Sequence, residues 1–196
     1  LPVSEPRVRD CGPCVACVPA CPTGALVAPG VLDARRCLAS WLQAPGVIPH
    51  ELRRAIDDRI YGCDDCLEAC PPGGRLLAGS TAARGRTDLL ELLGTDDATL
   101  LDRYDHWYIP RRQPRYLRRN ALVALGNTGG PQAAAVAAGF LSHPDWLLRV
   151  HAAWAVGELG DELAAAVLDA AAAGENHPEV QTEIVQAREV ATAGLR

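Results

Sequence analysis

The sequence contains no methionine and no lysine, so arginine supplies all 19 of its basic residues. It also lacks any apolar stretch of the length that a membrane-spanning helix requires, and no signal-peptide pattern opens it. We therefore expect a cytoplasmic protein that does not enter a membrane. Because the chain begins with Leu1 and Pro2 rather than with methionine, we also expect either a fragment of a longer protein or an altered start.

Cysteine is absent after Cys70, and all eight cysteines of the chain lie in the segment that ends there. The first run has the spacing C-x2-C-x2-C-x3-C-P of bacterial iron–sulfur ferredoxins, and it consists of Cys11, Cys14, Cys17, Cys21 and Pro22. The second run repeats part of this pattern with Cys63, Cys66, Cys70 and Pro71. One further cysteine, Cys37, lies between the two runs. This spacing is the strongest indication of function in the sequence.

Disulfides and zinc are the alternative uses of these cysteines. Disulfides require an oxidising compartment, which nothing in the sequence indicates. Two zinc sites are the more serious alternative, because a C-x2-C pair is the usual half of a structural zinc site. Zinc does not explain three cysteines spaced by two residues and then a fourth that is followed by proline. We therefore expect iron–sulfur clusters, and eight cysteines suffice for two 4Fe-4S clusters.

The ligands can be divided by the rule for two-cluster ferredoxins, in which the fourth cysteine of a run binds the other cluster. Cluster 1 is then bound by Cys11, Cys14, Cys17 and Cys70. Cluster 2 is bound by Cys21, Cys63, Cys66 and the one remaining cysteine, Cys37. Crossed ligation brings the two clusters close enough for electrons to pass between them. Such a pair indicates one-electron chemistry rather than a structural role.

Two helices are predicted between the cysteine runs, whereas the prolines of the first run predict a loop there. Asp33 is a suitable N-cap for a helix over 34–43, and that helix would carry Cys37. A second helix is predicted over 50–60, with an apolar stripe formed by Leu52, Ile56 and Ile60. The fourth ligand of cluster 2 is therefore expected to come from a helix.

The last third of the chain contains an internal repeat. Residues 118–126 align with residues 149–157, with small residues at matched positions. An alanine-rich helix is predicted after each copy, over 131–142 and 161–173, and a final helix over 178–191. Paired helices repeated in this way are typical of HEAT-type arrays.

A basic stretch without acidic residues extends from His106 to Pro144 on a chain whose net charge is −5. It contains a group of arginines, namely Arg111, Arg112, Arg115, Arg118 and Arg119. Arginine binds phosphate with paired hydrogen bonds, so we interpret this group as a nucleic-acid-binding patch. A solvated charged face is the alternative. The neighbouring Trp107 and Tyr108 could stack on an unpaired base or pack into the first repeat.

These features predict a mainly α-helical protein with two domains. Residues 1–80 are expected to form a ferredoxin-like domain that holds two 4Fe-4S clusters. Residues 81–196 are expected to form an α-helical domain of HEAT-like repeats.

The cysteine runs and the sequence between them resemble the epoxyqueuosine reductase family. The most specific match is residues 60–66, Ile-Tyr-Gly-Cys-Asp-Asp-Cys, and residues 117–127 are similar to the helical repeats of that family. The resemblance covers nearly the whole chain. The cobalamin-binding N-terminal domain of the family is expected to be absent from it.

The resemblance implies an oxidoreductase that reduces epoxyqueuosine to queuosine in tRNA, with cobalamin as a cofactor beside the two clusters. It implies that Asp64 contacts cobalamin and that the helical repeats bind the tRNA anticodon stem-loop. The family's proton donor lies in the N-terminal part, so no catalytic residue is expected in this chain. An electron donor protein or another reductant is expected as a partner, and the chain is expected to be monomeric.

Two other functions remain open. The first is a non-catalytic electron-transfer module, in which a two-cluster ferredoxin domain is joined to a HEAT-like scaffold that binds a partner. The second is a reductase that serves a different cobalamin enzyme. A cobalamin-binding domain upstream of Leu1 would favour the epoxyqueuosine reductase, and a true start near Leu1 would favour the module.

Overall fold

The computed structural model describes residues 11–78, 87–160 and 163–194. Packing divides the chain into two units. The first, which we call the cysteine unit, contains Leu1–Cys37 and Asp64–Ala82. The second, which we call the repeat unit, contains Leu38–Cys63 and Ala83–Arg196. The segment between the two cysteine runs therefore belongs to the unit that the C-terminal helices form.

The described elements are mainly helical, as predicted. In chain order they are α1 (Cys17–Ala20), β1 (Leu26–Ala28), β2 (Val31–Leu32), α2 (Leu38–Gln43), α3 (His50–Ile56), α4 (Asp65–Glu68), α5 (Pro71–Ala78), α6 (Leu89–Gly94), α7 (Asp97–Arg103), α8 (Arg115–Thr128), α9 (Ala133–Gly139), α10 (Trp146–Leu159), α11 (Ala164–Ala172) and α12 (Pro178–Gly194). Two short 3₁₀ helices, Pro110–Arg112 and Phe140–Ser142, also occur. None of the described helices is both long and apolar enough to cross a membrane.

The predicted boundary between the two domains falls near residue 80, which lies outside the described residues. The division into 1–80 and 81–196 therefore stays a prediction.

The cysteine unit is built from short helices and a hairpin. β1 and β2 pair antiparallel, with Leu26 opposite Leu32 and Ala28 opposite Val31. α1 packs against β1 and α4, and α4 packs against α5. The prediction of a loop throughout the first cysteine run is wrong at α1. Pro19 stands in the first turn of this helix, where its missing N–H group would have no helical partner.

Cys37 precedes a helix instead of lying within one, which corrects the predicted helix over 34–43. The chain first turns tightly, because the N–H of Arg36 donates to the carbonyl of Asp33 at 3.1 Å. The hydroxyl of Thr23 donates to the carbonyl of Arg36 at 2.5 Å. That carbonyl is thus used by a side chain rather than by a helix, and α2 begins only at the residue after Cys37.

The second predicted helix is shorter than expected, because α3 ends at Ile56. Asp57 follows with a left-handed backbone, φ 56°, which a right-handed helix cannot continue through. The predicted apolar stripe is nevertheless buried, with exposures of 7%, 0% and 8% for Leu52, Ile56 and Ile60.

The repeat unit follows the predicted internal repeat, because α8 packs against α10 and α10 packs against α12. Gly126 of α8 and Gly157 of α10 occupy equivalent positions in the repeat. A Cβ on Gly126 would lie 3.0 Å from the Cα of Ala155, and one on Gly157 would lie 2.8 Å from the Cα of Ala187. Glycine at this position permits successive helix backbones to approach closely, which explains why small residues recur.

Candidate iron–sulfur site

All eight cysteines lie in the described part of the chain, and none of them is in a disulfide. Cys11 and Cys14 are exposed, whereas the other six are partly buried. The first run is shaped by tight turns, since the N–H of Cys14 donates to the carbonyl of Cys11 at 3.0 Å. Reduced cysteine is the form that binds iron, because the thiolate is the metal ligand.

The cysteine unit brings one cysteine of the second run to three others. α1, which begins at Cys17, packs against α4, which carries Cys66. Burial raises the pKa of the Cys66 thiol, and the charges of Cys21, Cys37 and Cys17 raise it further. These four sulfur groups are therefore close enough to interact. Iron placed among them would remove the repulsion between their thiolates.

Cys21 has a polar environment that favours its thiolate. The N–H of Ala25 donates to its sulfur at 3.2 Å, and the hydroxyl of Thr23 lies 3.7 Å away. Partial burial raises the pKa of this thiol, but hydrogen bonds from Thr23, Ala25 and the backbone of Leu26 outweigh burial, so the pKa lies below its usual value. Hydrogen bonds to a ligand sulfur also tune the potential of a bound cluster.

The side chains available to a metal here are all thiols. In the part of the chain that the structure describes, no three His, Cys, Asp or Glu side chains gather around one point, as a single metal ion requires. A 4Fe-4S cluster makes a different demand, because each of its four thiolates binds a different iron. The donor set is entirely sulfur, which suits iron–sulfur chemistry.

The other predicted ligands lie at the ends of neighbouring elements. Cys70 follows α4, and its carbonyl accepts the N–H of Gly74 at 2.7 Å. Cys63 belongs to the repeat unit, where it packs against the hydrophobic core. The division of the eight cysteines between cluster 1 and cluster 2 stays a prediction.

Asp64, the predicted cobalamin contact, directly precedes α4. Its carbonyl accepts the N–H groups of Leu67 and Glu68, each at 2.8 Å. Its side chain is exposed and makes no capping hydrogen bond to the helix. The contact with cobalamin stays a prediction.

One arginine of the predicted nucleic-acid patch lies inside the fold. Arg119 is fully buried, and burial lowers its pKa to about 9. Its guanidinium donates hydrogen bonds of 2.7–2.9 Å to the carbonyls of Trp41, Ala44 and Gly46. These carbonyls lie at and beyond the end of α2, where a helix leaves its last carbonyls without internal partners. Arg119 is therefore not available to a phosphate.

The other four arginines of the patch fall into two pairs. Arg118 is 9% exposed and forms an ion pair with Asp97, and Arg115 forms one with Asp145 at 3.1 Å. These two side chains are occupied within the repeat unit. The members that are exposed are Arg111 and Arg112, and both have a left-handed backbone, with φ 52° and 53°.

An aromatic stack that the sequence analysis missed lies next to Cys63 in the chain. The ring of Tyr61 stacks on Trp107 with centroids 4.4 Å apart, and Trp107 stacks on Tyr104 at 4.3 Å. Trp107 is thus packed inside the repeat unit, whereas Tyr108 is 65% exposed. Tyr104 and Trp107 are three residues apart, but Tyr61 is distant from both in the sequence, so no short spacing predicts the complete stack.

Buried polar residues of the repeat helices were also missed. Asn120 and His151 occupy aligned positions of the internal repeat, and both are fully buried. A polar residue at a position where helices pack is a signal that could have revealed them. Both form hydrogen bonds to the backbone of the segment 38–63.

Two protein-domain families match the chain. The 4Fe-4S double cluster binding domain matches residues 10–73, and HEAT repeats match residues 109–188. The first match supports iron–sulfur clusters as cofactors. The second confirms the predicted helical repeats.

The chain is also similar to epoxyqueuosine reductases in sequence and in structure. It is 44% identical to the epoxyqueuosine reductase of Vibrio cholerae over 134 residues, which are 65% of this chain and 36% of that protein. The structure of the Bacillus subtilis enzyme has a TM-score of 0.83 at 32% identity and covers 97% of this chain and 53% of that one. An epoxyqueuosine reductase crystallised with an epoxyqueuosine-modified tRNA-Tyr stem loop has a TM-score of 0.81 at 33% identity, over 93% of this chain and 50% of that one.

A relative of similar length comes from Geobacillus stearothermophilus and is described as an uncharacterized protein in gldA 3′ region. It is 33% identical, over 98% of this chain and 93% of that protein. The chain spans about half the length of the epoxyqueuosine reductases of known structure. Because the similarity runs through the cysteine runs and the helical repeats alike, the chain belongs to the epoxyqueuosine reductase family.

Proposed function

We propose that this chain is the electron-transferring part of a cobalamin-dependent reductase that reduces epoxyqueuosine to queuosine in tRNA. The observation that carries the proposal is the match of residues 10–73, which contain all eight cysteines, to a 4Fe-4S double cluster binding domain. Two 4Fe-4S clusters in one small domain are typical of proteins that transfer electrons. Relatives named for this reaction share the fold, and one of them was crystallised with an epoxyqueuosine-modified tRNA stem loop.

The two clusters are proposed to have crossed ligands. Cluster 1 is assigned to Cys11, Cys14, Cys17 and Cys70. Cluster 2 is assigned to Cys21, Cys37, Cys63 and Cys66. The chain would hold the thiolates in place. Hydrogen bonds such as the one from the N–H of Ala25 to the sulfur of Cys21 would tune the reduction potential of a cluster. A donor protein or a small reductant supplies the electrons.

Cobalamin, when bound, supplies a cobalt that can be reduced. Asp64 is the proposed contact in this chain, because its exposed carboxylate is not used to cap α4. No catalytic residue is assigned within the chain, and the proton donor is proposed to lie in another part of the protein.

The RNA partner is proposed to be a tRNA anticodon stem-loop that contacts the repeat unit near Arg111 and Arg112. Both side chains are exposed, although Arg112 also donates to the carbonyl of Leu101 at 2.8 Å. Of these two arginines, Arg111 is therefore proposed to be the principal phosphate-binding cation. The exposed ring of Tyr108 can stack on an unpaired base. We place the protein in the cytoplasm as a monomer.

Anaerobic purification of the full-length protein tests this function. Two 4Fe-4S clusters predict about eight irons and eight sulfides per chain. With a reductant and an epoxyqueuosine-containing stem-loop, mass spectrometry should show the loss of one oxygen from the RNA. Zinc in place of iron would contradict the proposal.

The same experiment distinguishes the proposed function from the alternative, a non-catalytic electron-transfer module. A protein that carries both clusters, leaves the epoxide unchanged and reduces a partner protein would be a non-catalytic electron-transfer module. Its HEAT-like repeats would then bind that partner.

A further inference from the structure

The segment 38–63, which connects the two cysteine runs, is bound along its length by the repeat helices. Three of these helices contribute buried polar side chains, among them Asn120 of α8, His151 of α10 and Glu183 of α12. His151 accepts the N–H of Ile48 at 3.2 Å, and Glu183 forms an ion pair with Arg53 at 2.8 Å. The segment is therefore fixed by residues that lie far away in the sequence.

Asn120 joins the two ends of this segment. Its side-chain amide donates to the carbonyl of Leu42 at 2.8 Å and to the carbonyl of Ile60 at 2.9 Å. Its side-chain oxygen accepts two hydrogen bonds from Arg119, at 3.0 and 2.8 Å. Both donors and both acceptor positions of the amide are thus used. A buried amide with this full set of partners has one orientation, so it fixes the chain just before Cys63.

Tyr61 fixes the backbone of the residues next to Cys63. Its ring lies parallel to Trp107, with an interplanar angle of 7°. Its hydroxyl accepts the N–H of Tyr108 at 2.9 Å. Gly62 then turns the chain with φ 69°, and Cys63 packs against the core of the repeat unit. The stack and the hydrogen bond leave the backbone at this turn little freedom.

We propose that Asn120 and Tyr61 are positioning residues for Cys63, so that the helical repeats fix one ligand of an iron–sulfur cluster. This inference rests on the proposed function, because it requires that Cys63 binds a cluster. Two residues outside the cysteine motifs, Asn120 and Tyr61, would then help to hold that cluster. Neither residue contacts iron, and both act through the backbone at residues 60–63.

The test compares Asn120→Ala with Asn127→Ala. Asn127 is a matched control on the same helix, since its amide also donates to two carbonyls, those of Arg53 at 2.9 Å and Asp57 at 3.0 Å. The full-length proteins are purified anaerobically with both clusters, and the release of iron to a chelator is followed over time. The reduced proteins are also compared by electron paramagnetic resonance.

We expect Asn120→Ala to release half of its iron roughly tenfold faster than the wild type, as the loss of its two buried hydrogen bonds to the segment 38–63 implies. The other half should leave at the wild-type rate, and the spectrum of one cluster should change. Asn127→Ala should keep both rates and both spectra. Tyr61→Phe retains the ring stack and removes the acceptor for Tyr108, so it should accelerate the same half of the iron to a smaller extent.

Equal acceleration of all the iron in Asn120→Ala, or the same effect in both asparagine variants, would show a general loss of stability and overturn the inference. Tyr61→Phe provides an independent test if Asn120→Ala does not fold, and wild-type behaviour of Tyr61→Phe would then contradict it. A wild-type protein that holds no iron would overturn both this inference and the proposed function. Neither measurement depends on enzymatic activity. A failure of this inference can therefore be distinguished from a failure of the proposed function.

Discussion

Asn120 and His151 occupy the same position in successive repeats, and each binds a backbone group of the segment 38–63. The two residues use opposite chemistry, since Asn120 donates to carbonyls and the Nε2 atom of His151 accepts an N–H. The Nδ1 atom of His151 lies 2.7 Å from the carbonyl of Leu147, so it carries the proton. The imidazole is therefore held in its neutral form with both nitrogens occupied.

His151 should make the fold sensitive to mild acid. Burial lowers its pKa well below 6.5, and the charges of Arg53 and Arg119 lower it further. The unfolded chain therefore binds a proton as the pH falls below about 6.5, while the folded chain does not. The stabilisation is fully present above that pH and is lost as the pH falls towards the folded pKa. The loss approaches about 1.4 kcal/mol per pH unit in this window.

The variant His151→Gln isolates this contribution, because its amide can accept the N–H of Ile48 and does not titrate. Thermal unfolding of both proteins between pH 7 and pH 5 provides the measurement. The wild type should lose more stability on acidification than the variant. Parallel curves would contradict the prediction.

Gly157→Ala should destabilise the repeat unit. The new Cβ would lie 2.8 Å from the Cα, Cβ and carbonyl oxygen of Ala187, which are mainly backbone atoms that cannot move aside. Overpacking of this kind costs about 1–3 kcal/mol of unfolding free energy. Gly139→Ala is the control, because its added Cβ would meet no described atom within 4 Å apart from its chain neighbours and its own helix backbone. Denaturant unfolding should show the control to be neutral or slightly more stable.

Arg111→Ala should weaken binding of a tRNA stem-loop and reduce the salt dependence of binding by about one counterion. Arg188→Ala is the control, since this partly exposed arginine pairs with Asp169 on other helices of the repeat unit. Titrations at several salt concentrations measure both effects. Equal affinity of Arg111→Ala and the wild type for the stem-loop would show that Arg111 is not part of the RNA-binding surface.

Cys37→Ala should lower the iron content from about eight to about four per chain, because one thiolate of cluster 2 is lost while cluster 1 keeps its ligands. Cys11→Ala should remove the other four irons. Iron analysis and electron paramagnetic resonance of the two variants distinguish the clusters. Retention of eight irons in Cys37→Ala would refute the assignment of Cys37.

Patterns of short range were sufficient for part of this structure. The spacing of the cysteine runs predicts iron–sulfur ligands, because several thiolates of one cluster come from a single short run, such as Cys11, Cys14 and Cys17. The aligned segments 118–126 and 149–157 predict α8 and α10, because helix faces repeat within a few residues. The resemblance of residues 60–66 and 117–127 to epoxyqueuosine reductases indicated the family.

The rest depends on contacts across long distances in the chain. Asn120 reaches back 60 residues to Ile60, and His151 reaches back 103 residues to Ile48. No local pattern predicts that the segment 38–63 joins the repeat unit. The charge of Arg119 suggests a surface residue, whereas the carbonyls that end α2 provide a buried site for it.

The interleaving of the two units constrains the order of biosynthesis. The chain leaves the cysteine unit after Cys37 and returns to it at Asp64. A ribosome completes both cysteine runs before it has made α8, α10 and α12, whose side chains hold the segment between them. The backbone around Cys63 is therefore expected to become fixed only after these helices have been made. Delivery of iron to this thiol is expected to follow the synthesis of α8, α10 and α12.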